Sequence, residues 1–589
     1  MQRSEIDEKY LWKTSDVFEN DEAWEKAFSA LENPQFSKKY KGTLNRAENI
    51  LNYFRAEEEY EIALMRVYLY AHMKHDEDVS NTKYSSALQK VAQLFTRFSS
   101  ETAFAIPEIS SLKKEYLIAF SKDKSLSDYD YFFQRLIEKK KHILSEKEER
   151  ILAEVQEPLS TPYEVFEMLD NAEVDLPEIE YEGKTQRISH GLYSVIVNES
   201  DRGKRREVFE KYYSAYRKIV GTLAATYYVN VKQDIFMKNM RGFNTSLEMA
   251  LFEEDVDASV YKNLVNCVND ATPVMHRYMA LRKKMMGLDE MHMYDIYPPL
   301  VENADMRLTY EEAYETVLKG LAPLGKEYIE LLKKGRDERW IDVYETPGKK
   351  SGAYSTAVYG VHPFVLLNYQ KTTHDVFTIA HEMGHAIHSY FSKGTQPYAK
   401  SDYKIFVAEV ASTVNEVLLL KYLLNTTKDK TLEKYLVSYF LEMIRTTLFR
   451  QTQFAEFEER AHAMAEKGEP LNKDNLSELY YGLNKKYYGD ALFHDKEIEI
   501  EWARIPHFYN SFYVYKYATG ITAAVAIANK ILKEGEPAVK KYFEFLSGGC
   551  KTDPVSLLKI AGADLTKKET FVSVMKEFEE SLKKLESYT

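Results

Sequence analysis

Residues 377–388 read FTIAHEMGHAIH, and this stretch predicts a helix that is buried on one side and carries histidines on the other. Apolar side chains recur at steps of three or four residues, the period of a helix packed along one face; they are Val376, Ile379, Met383, Ile387 and Tyr390. At about 100° per residue, His381, His385 and His388 lie roughly opposite that stripe. Asp375 precedes the run and favours a helix start there.

His381, Glu382 and His385 form the pattern His-Glu-x-x-His (HEXXH). One helical turn separates the two histidines by about 6 Å, so both imidazoles can reach one ion at roughly 2.0–2.1 Å. Zinc held by three protein ligands keeps a fourth position for water and lowers the pKa of that water to about 7. Glu382 can then accept a proton while the water attacks a peptide carbonyl. The alternative is a buried helix whose histidines hydrogen-bond to their neighbours.

The sequence offers two candidates for the third zinc ligand. His388 lies on the same face, but three ligands along one straight helix are difficult to arrange tetrahedrally around one ion. Glu409 belongs to a second predicted helix, residues 406–417, which carries valines on one side and Glu409 and Glu416 on the other. We favour Glu409 as the ligand and expect Glu416 to orient a histidine or the ligand itself. The longer zinc motif is excluded, because this chain has His388 and Phe391 where that motif requires glycine and histidine.

Two short β-rich runs, residues 352–355 and 364–368, precede the metal helix. Glycine and proline bound them, which predicts two strands in a mostly helical chain. An edge strand beside the metal helix can hold an extended peptide by main-chain hydrogen bonds. We therefore predict that Gly352, Ala353 and Tyr354 bind substrate. The alternative is a structural hairpin without ligand contact.

Several stretches, spread over nearly the whole chain, resemble oligoendopeptidase F, a branch of the thimet-oligopeptidase group of zinc peptidases. They are residues 10–18 (YLWKTSDVF), 347–355 (PGKKSGAYS), 363–369 (PFVLLNY), 449–458 (FRQTQFAEFE) and 507–517 (HFYNSFYVYKY). The resemblance implies a large, mostly α zinc-peptidase fold with a small β-sheet beside a deep substrate channel. It also implies hydrolysis of internal bonds in short, unfolded peptides, because such a channel excludes intact proteins.

The resemblance assigns the roles of the site residues as well. His381, His385 and Glu409 become the ligands of one zinc ion and Glu382 the general base, and the spacing from His385 to Glu409 is close to that of the family.

Residues 507–517 resemble the segment of this family whose tyrosine and histidine side chains stabilise the negative charge that develops during the reaction. His507 carries over, and we favour Tyr515 and Tyr517 among the tyrosines. Phenol and imidazole donors suit this role, because they meet developing negative charge without repelling the metal.

The composition, 44% hydrophobic and 29% charged over 589 residues, is that of a globular protein. We place a domain boundary near residue 200, with an N-terminal helical domain over residues 1–200 and a catalytic domain over 201–589. Residues 181–184 read as a turn between strands, and a new helical block begins at Asp201. Residues 432–467 lack glycine and proline, which predicts one long helix.

The formal net charge is −13 without a concentrated basic stretch, which argues against nucleic acid and anionic membranes as partners. The chain start lacks the apolar segment of a secretory signal, and no run approaches about 18 consecutive apolar residues. Cys267 and Cys550 show no disulfide pattern, which favours a reducing cytoplasm. The sequence does not specify the oligomeric state.

We therefore predict a cytoplasmic, zinc-dependent endopeptidase acting on short oligopeptides. One alternative is a zinc carboxypeptidase, which needs a cation for the terminal carboxylate of its substrate. Another is a non-catalytic peptide-binding protein with a structural zinc. A structural zinc site is normally closed by four protein ligands and has no need of Glu382, so this second alternative is disfavoured.

Overall fold

The computed structural model of the chain describes residues 2–301, 304 and 306–588. These residues form 25 α-helices and seven short β-strands, which confirms the predicted mostly helical fold with a small β-sheet. Among the described helices, none combines the length and the apolar character that a membrane crossing requires.

The α-helices follow one another along the chain. Those of the first third are α1 (Asp21–Ala30), α2 (Phe36–Tyr40), α3 (Ala47–Glu77), α4 (Thr82–Thr102), α5 (Ala105–Ser111), α6 (Lys114–Phe120), α7 (Asp130–Lys139), α8 (Glu146–Met168) and α9 (His190–Val197). Those of the middle third are α10 (Arg202–Arg241), α11 (Ser246–Glu254), α12 (Ala258–Asp270), α13 (Thr272–Met285), α14 (Tyr310–Gly320), α15 (Gly325–Asp337), α16 (Thr373–Thr395) and α17 (Tyr398–Ser401). The remainder are α18 (Ile405–Thr426), α19 (Lys430–Ile444), α20 (Arg450–Glu466), α21 (Lys473–Tyr488), α22 (Tyr515–Glu534), α23 (Glu536–Leu546), α24 (Pro554–Ala561) and α25 (Lys568–Glu586).

The chain folds into two compact units, each made of three segments. The first unit comprises Met1–Ile143, Asp305–Tyr422 and Ile527–Ala563. The second unit comprises Leu144–Ala304, Leu423–Ala526 and Asp564–Thr589. Residue 200, the predicted domain boundary, lies inside the second unit. The division into an N-terminal helical domain (residues 1–200) and a catalytic domain (residues 201–589) stays a prediction.

The strands form three small sheets. They are β1 (Glu178–Tyr181), β2 (Lys184–Arg187), β3 (Met291–His292), β4 (Ile341–Asp342), β5 (Tyr354–Thr356), β6 (Phe364–Leu366) and β7 (Leu492–Phe493). β1 and β2 form an antiparallel hairpin, and β3 pairs in parallel with β7. Glu182 and Gly183 connect the hairpin with φ angles of 50° and 73°, as a tight two-residue turn requires. The predicted turn at residues 181–184 is thereby confirmed.

A three-stranded sheet of order β4-β6-β5 belongs to the first unit. β6 runs parallel to β4 and antiparallel to β5, with Ser355 opposite Val365. β5 and β6 confirm the two strands predicted before the metal helix, and both pack against α16. β4 was not predicted, because two residues are too few to show a period. The start of the chain is fastened beside β4, where Val343 N donates to Tyr10 O at 2.9 Å.

In the second unit the 40-residue helix α10 packs against α8, α9, α20 and α21. The side chain of Asp201 caps it by accepting a hydrogen bond from Lys204 N, so the predicted helix start is confirmed. The long helix predicted over residues 432–467 is α19 and α20, joined by one π-helical turn at Arg445–Phe449. It gives way to Gly468, whose φ is 87°.

Helix α16 confirms the helix predicted over residues 377–388, but His388, which was predicted on the face opposite the apolar stripe, is 1% exposed. Thr372 caps it and exchanges hydrogen bonds with Asp375, a capping box that fixes where the helix begins. The stripe residues Val376, Ile379, Met383 and Ile387 are fully buried, whereas Tyr390 is partly exposed. The apolar face thus anchors α16 in the core of the first unit.

Helices α16 and α18 lie close together at Gly384. A Cβ atom at this position would lie 2.5 Å from Ser412 Cα and 2.8 Å from Ala411 O, and both of these are backbone atoms. The two helices can therefore lie this close only because residue 384 has no side chain.

We predict that Gly384→Ala lowers the free energy of unfolding by roughly 1–3 kcal/mol, because the helices must separate to admit the methyl group. Thermal unfolding of the purified variant measures this loss. Gly394→Ala is the matched control, since it lies on the same helix with no atom within 4 Å of an added Cβ. An equal melting temperature for both variants would contradict the prediction.

Candidate active site

Helices α16 and α18 bring three potential metal ligands together. His381 Nε2 lies 3.1 Å from His385 Nε2. Glu409 Oε2 lies 3.4 Å from His381 Nε2 and 3.5 Å from His385 Nε2. Among the described residues, these three form the group of histidine, cysteine and acidic side chains whose spacing suits a metal ion. The separations follow from the helices themselves, because one turn separates the histidines and the contact at Gly384 brings Glu409 opposite them.

Glu416 lies two turns after Glu409 on α18, and its Oε1 is hydrogen-bonded to His381 Nδ1. With Nδ1 bonded to Glu416, the Nε2 atom of the ring lies 3.4 Å from Glu409 Oε2, and the orienting role of Glu416 stays a prediction. Burial lowers the pKa of His381, but the hydrogen bonds to Glu409 and Glu416 outweigh it and raise the pKa to about 10. Burial raises the pKa of Glu409, and its bonds to the two histidines reverse this and hold it below the usual range.

Glu382 follows the first histidine and is 7% exposed. Burial raises the pKa of its carboxyl, while the charges of His381 and His385 lower it, and the net shift is upward. A carboxylate whose proton affinity is raised by burial accepts a proton more readily than an ordinary glutamate does.

His388 does not join the group, although we had considered it as a rival third ligand. Its ring is 1% exposed and stacks on Tyr403, with ring centroids 3.8 Å apart, and Phe545 packs nearby. Burial lowers its pKa to about 3, so the ring is neutral. The extra turn of helix carries His388 past the ligand atoms and into the core of the first unit.

Asn415 is a buried residue of α18 that the sequence did not single out. Its Nδ2 donates to Ala380 O at 2.9 Å, and its Oδ1 accepts from Tyr328 OH at 2.9 Å. The first bond ties α18 to the residue before His381, and the second ties α18 to α15. An asparagine among valines and leucines is the signal that could have identified it, because a buried amide requires partners.

The predicted substrate-binding residues surround the start of β5. Gly352 has a φ of 83°, and its carbonyl accepts from Asn368 Nδ2 at 2.8 Å. Ala353 is partly exposed, and Tyr354 OH donates to Asp76 Oδ2 at 2.8 Å. β5 lies at one edge of the sheet, with β6 as its partner among the described strands.

The loop before this strand is held by a buried lysine. Lys349 Nζ lies 2.7 Å from Asp342 Oδ1 and also donates to Tyr344 O and Leu367 O. Residues 347–355 therefore owe their shape to an ion pair with β4 that sequence reasoning missed.

The aromatic segment 507–517 belongs to the second unit. His507 is exposed, and its Nε2 lies 3.4 Å from Tyr517 OH. The ring of Tyr513 lies 5.5 Å from that of Tyr517, so these three side chains form one cluster. Burial lowers the pKa of His507, which favours a neutral imidazole. Tyr513 was not among the predicted donors.

Tyr515 lies apart from this cluster, although we had predicted it as a donor. It is 1% exposed, and its ring packs against Tyr261 at 5.3 Å between centroids. Burial raises the pKa of its phenol well above the usual value. Since α22 begins at Tyr515, the residue starts a helix and faces the core, whereas Tyr517 faces outward.

Comparison with known proteins gives the same family throughout. Residues 195–577 match the sequence model of Peptidase family M3, and residues 108–175 match that of Oligopeptidase F. The chain is 44% identical to Oligopeptidase PepF of Bacillus subtilis (strain 168), over 99% of this chain and 88% of that protein.

Two solved structures have similar folds. One is a putative peptidase from Chlamydophila abortus, with a TM-score of 0.93 and 33% identity over 99% of both chains. The other is oligoendopeptidase-F from Enterococcus faecium, with a TM-score of 0.74 and 34% identity over 98% of this chain and 99% of that one.

The geometry of the three ligand atoms generates a prediction about metal content. Glu409→Ala is expected to lose its tightly bound divalent ion, because two histidines alone leave the ion without its third protein ligand. His388→Phe is expected to retain the ion, since that ring is stacked in the core. Elemental analysis of both purified variants checks this, and the reverse result would make His388 the ligand.

Proposed function

Because the chain belongs to peptidase family M3, in its oligoendopeptidase F branch, we propose that it is a zinc-dependent endopeptidase that cleaves internal bonds of short, unfolded peptides. Membership in this family of metallopeptidases makes the chain a peptide-hydrolysing enzyme. The identity of the metal, the general base and the preference for internal bonds are the parts that we propose.

One observation carries the choice of zinc, namely the spacing of the three ligand atoms. Tetrahedral ligands at zinc distances of roughly 2.0–2.1 Å are about 3.3–3.4 Å from one another. The separations among His381 Nε2, His385 Nε2 and Glu409 Oε2 are 3.1, 3.4 and 3.5 Å. Two imidazoles and one carboxylate are also a donor set typical of catalytic zinc. When bound there, zinc would supply Lewis acidity and lower the pKa of a coordinated water.

Glu382 is the proposed general base. It adjoins His381 on α16, so its carboxylate can take the proton of the attacking water and pass it to the leaving amine. Its burial excludes bulk water and raises its pKa, which strengthens it as a proton acceptor. The same residue argues against a purely structural metal site, which needs no base.

His507 and Tyr517 are the proposed hydrogen-bond donors to the charge that develops on the scissile carbonyl. Their mutual contact supports a shared role, and a neutral imidazole can donate without repelling a metal cation. We no longer include Tyr515, because its phenol lies in the core against Tyr261.

Gly352, Ala353 and Tyr354 remain the proposed substrate-binding residues. An edge strand offers main-chain donors and acceptors, and these groups recognise any extended peptide irrespective of its side chains. A reducing cytoplasm is the proposed location, and the free thiols of Cys267 and Cys550 support it.

Mass spectrometry of a mixed peptide pool, incubated with and without a chelator, tests the proposal as a whole. Fragments from internal cleavage that disappear with the chelator are the expected result. Stepwise loss of C-terminal residues would make the enzyme a carboxypeptidase instead. Cleavage that persists after complete removal of the metal would refute the zinc mechanism.

Glu382→Gln is expected to lower kcat by at least about 10²-fold while metal content stays near one equivalent, because the ligands are untouched and the proton acceptor is lost. Rates on a quenched peptide, together with elemental analysis, measure both quantities. A variant that cleaves at the wild-type rate would show that another group serves as the base.

Tyr517→Phe is expected to lower kcat by about 10²-fold with little change in KM, because one donor to the developing charge is removed. Tyr515→Phe is the matched comparison, and we expect it to alter the melting temperature rather than kcat. A large fall in kcat for Tyr515→Phe alone would return Tyr515 to the catalytic role.

A further inference from the structure

The segment that carries His507 and Tyr517 contains an unfavourable backbone conformation. Phe512 has a φ of 58°, in the left-handed region that a large L-residue rarely adopts. Its side chain is 3% exposed, so packing does not allow the residue simply to relax towards solvent. A residue persists in such a conformation where its surroundings hold it there.

Glu458 on α20 is the group that holds Phe512. Its side chain is fully buried, and its Oε1 accepts a hydrogen bond from Phe512 N at 3.0 Å. The second carboxyl oxygen, Oε2, has no hydrogen-bond partner among the described residues. Within the described ranges, the hydrogen bond from Phe512 N is therefore the one polar bond of this carboxyl.

Two other buried glutamates, one on α20 and one outside it, are paired with basic side chains. Glu456 is paired with Lys486, and Glu501 is paired with Arg450 and Arg504. No basic side chain pairs with Glu458 in the part of the chain that the structure describes. A buried carboxyl without a cation is costly to ionise, and this one is not explained as part of a stabilising ion pair.

Four further contacts support the same turn within the second unit. His462, one helical turn after Glu458, binds Glu458 O at 2.8 Å and Asp234 Oδ2 at 3.0 Å. The ring of His462 packs on that of Phe512, with centroids 4.5 Å apart. From α10, Asn230 Nδ2 donates to Ser511 Oγ at 3.1 Å. The turn is thus held by α10 and α20, and Glu458 supplies the bond to the left-handed residue.

We infer that Glu458 is a positioning residue for the peptidase reaction: by accepting the Phe512 N–H bond it holds the left-handed turn and keeps Tyr513 and Tyr517 beside His507. Tyr513 is the next residue in the chain, and Tyr517 is the third residue of α22, so a change at Phe512 reorients both. The inference rests on the proposed function, because that function makes His507 and Tyr517 hydrogen-bond donors in the reaction.

The protonation state of Glu458 agrees with this role. Burial raises the pKa of its carboxyl, the hydrogen bond from Phe512 N lowers it, and the charge of Asp234 raises it further. The net effect raises the pKa of Glu458 well above its usual value, which favours the neutral carboxyl. A glutamine, which is neutral and of equal length, should therefore replace it.

Three substitutions separate the hydrogen bond from the other properties of Glu458. Glu458→Gln keeps an acceptor at the same reach, Glu458→Asp withdraws the acceptor by one methylene group, and Glu458→Leu removes it. Glu459→Gln changes the neighbouring carboxyl on the same helix and is the matched control. Each protein is compared with wild type in kcat and KM on a quenched peptide, in metal content, and in hydrogen exchange over residues 507–517.

We expect Glu458→Asp and Glu458→Leu to lower kcat by about 10- to 100-fold, because displaced donors no longer meet the reacting group. KM and metal content stay at wild-type values, and the Phe512 amide exchanges faster. Glu458→Gln and Glu459→Gln retain wild-type kcat and exchange. If Glu458→Leu does not fold, Glu458→Asp carries the comparison.

Wild-type kcat and wild-type exchange in Glu458→Asp would overturn the inference. So would a loss in Glu458→Gln as large as that in Glu458→Leu, because the acidic proton rather than the acceptor would then matter. The exchange measurement does not depend on catalysis. If wild type shows no chelator-sensitive cleavage, the proposed function fails, and faster Phe512 exchange in Glu458→Asp would still establish that Glu458 holds the turn.

Discussion

The candidate metal site depends on the distance between two helices, and that distance is set by the missing side chain of Gly384. Backbone atoms of Ser412 and Ala411 occupy the space that a Cβ would need. The close contact brings Glu409 Oε2 within 3.5 Å of the Nε2 atoms of the two histidines. These histidines precede Glu409 by 24 and 28 residues in the chain. The buried amide of Asn415 then fixes the same two helices in register through Ala380 O. Packing of the core therefore determines the spacing of the ligands.

The electrostatics of the site follow from this packing. His381 lies between the carboxylates of Glu409 and Glu416, and Glu382 is buried next to it. Three acidic side chains surround two imidazoles here, and a bound divalent cation would offset the repulsion among the carboxylates. In the proposed mechanism, Glu409 is a metal ligand, Glu416 orients His381 and Glu382 is the general base. Functional sites often store this kind of local conflict.

The sequence predicted what periodicity and local chemistry control. The buried stripe of α16, the buried valines of α18 and the short strands bounded by glycine and proline all appear as expected. The sequence did not predict features that depend on contacts between residues far apart in the chain. The side of α22 on which Tyr515 lies depends on where that helix begins. The hydrogen bond of Asn415 joins it to Ala380, 35 residues earlier in the chain. The hydrogen bond that Phe512 N donates to Glu458 spans 54 residues. The five-residue motif is also more restrictive here than its three fixed letters suggest, because Met383 is in the core and Gly384 has no room for a side chain.

The two compact units contribute different parts of the proposed chemistry. The ligand set and Glu382 belong wholly to the first unit, whereas His507 and Tyr517 belong to the second. A local lesion in the second unit that leaves the first unit folded would therefore leave the proposed ligand set intact. The ratio of metal to protein in a preparation would then exceed the fraction of active enzyme. Titration with a tight-binding inhibitor would count active molecules, whereas elemental analysis counts intact ligand sets.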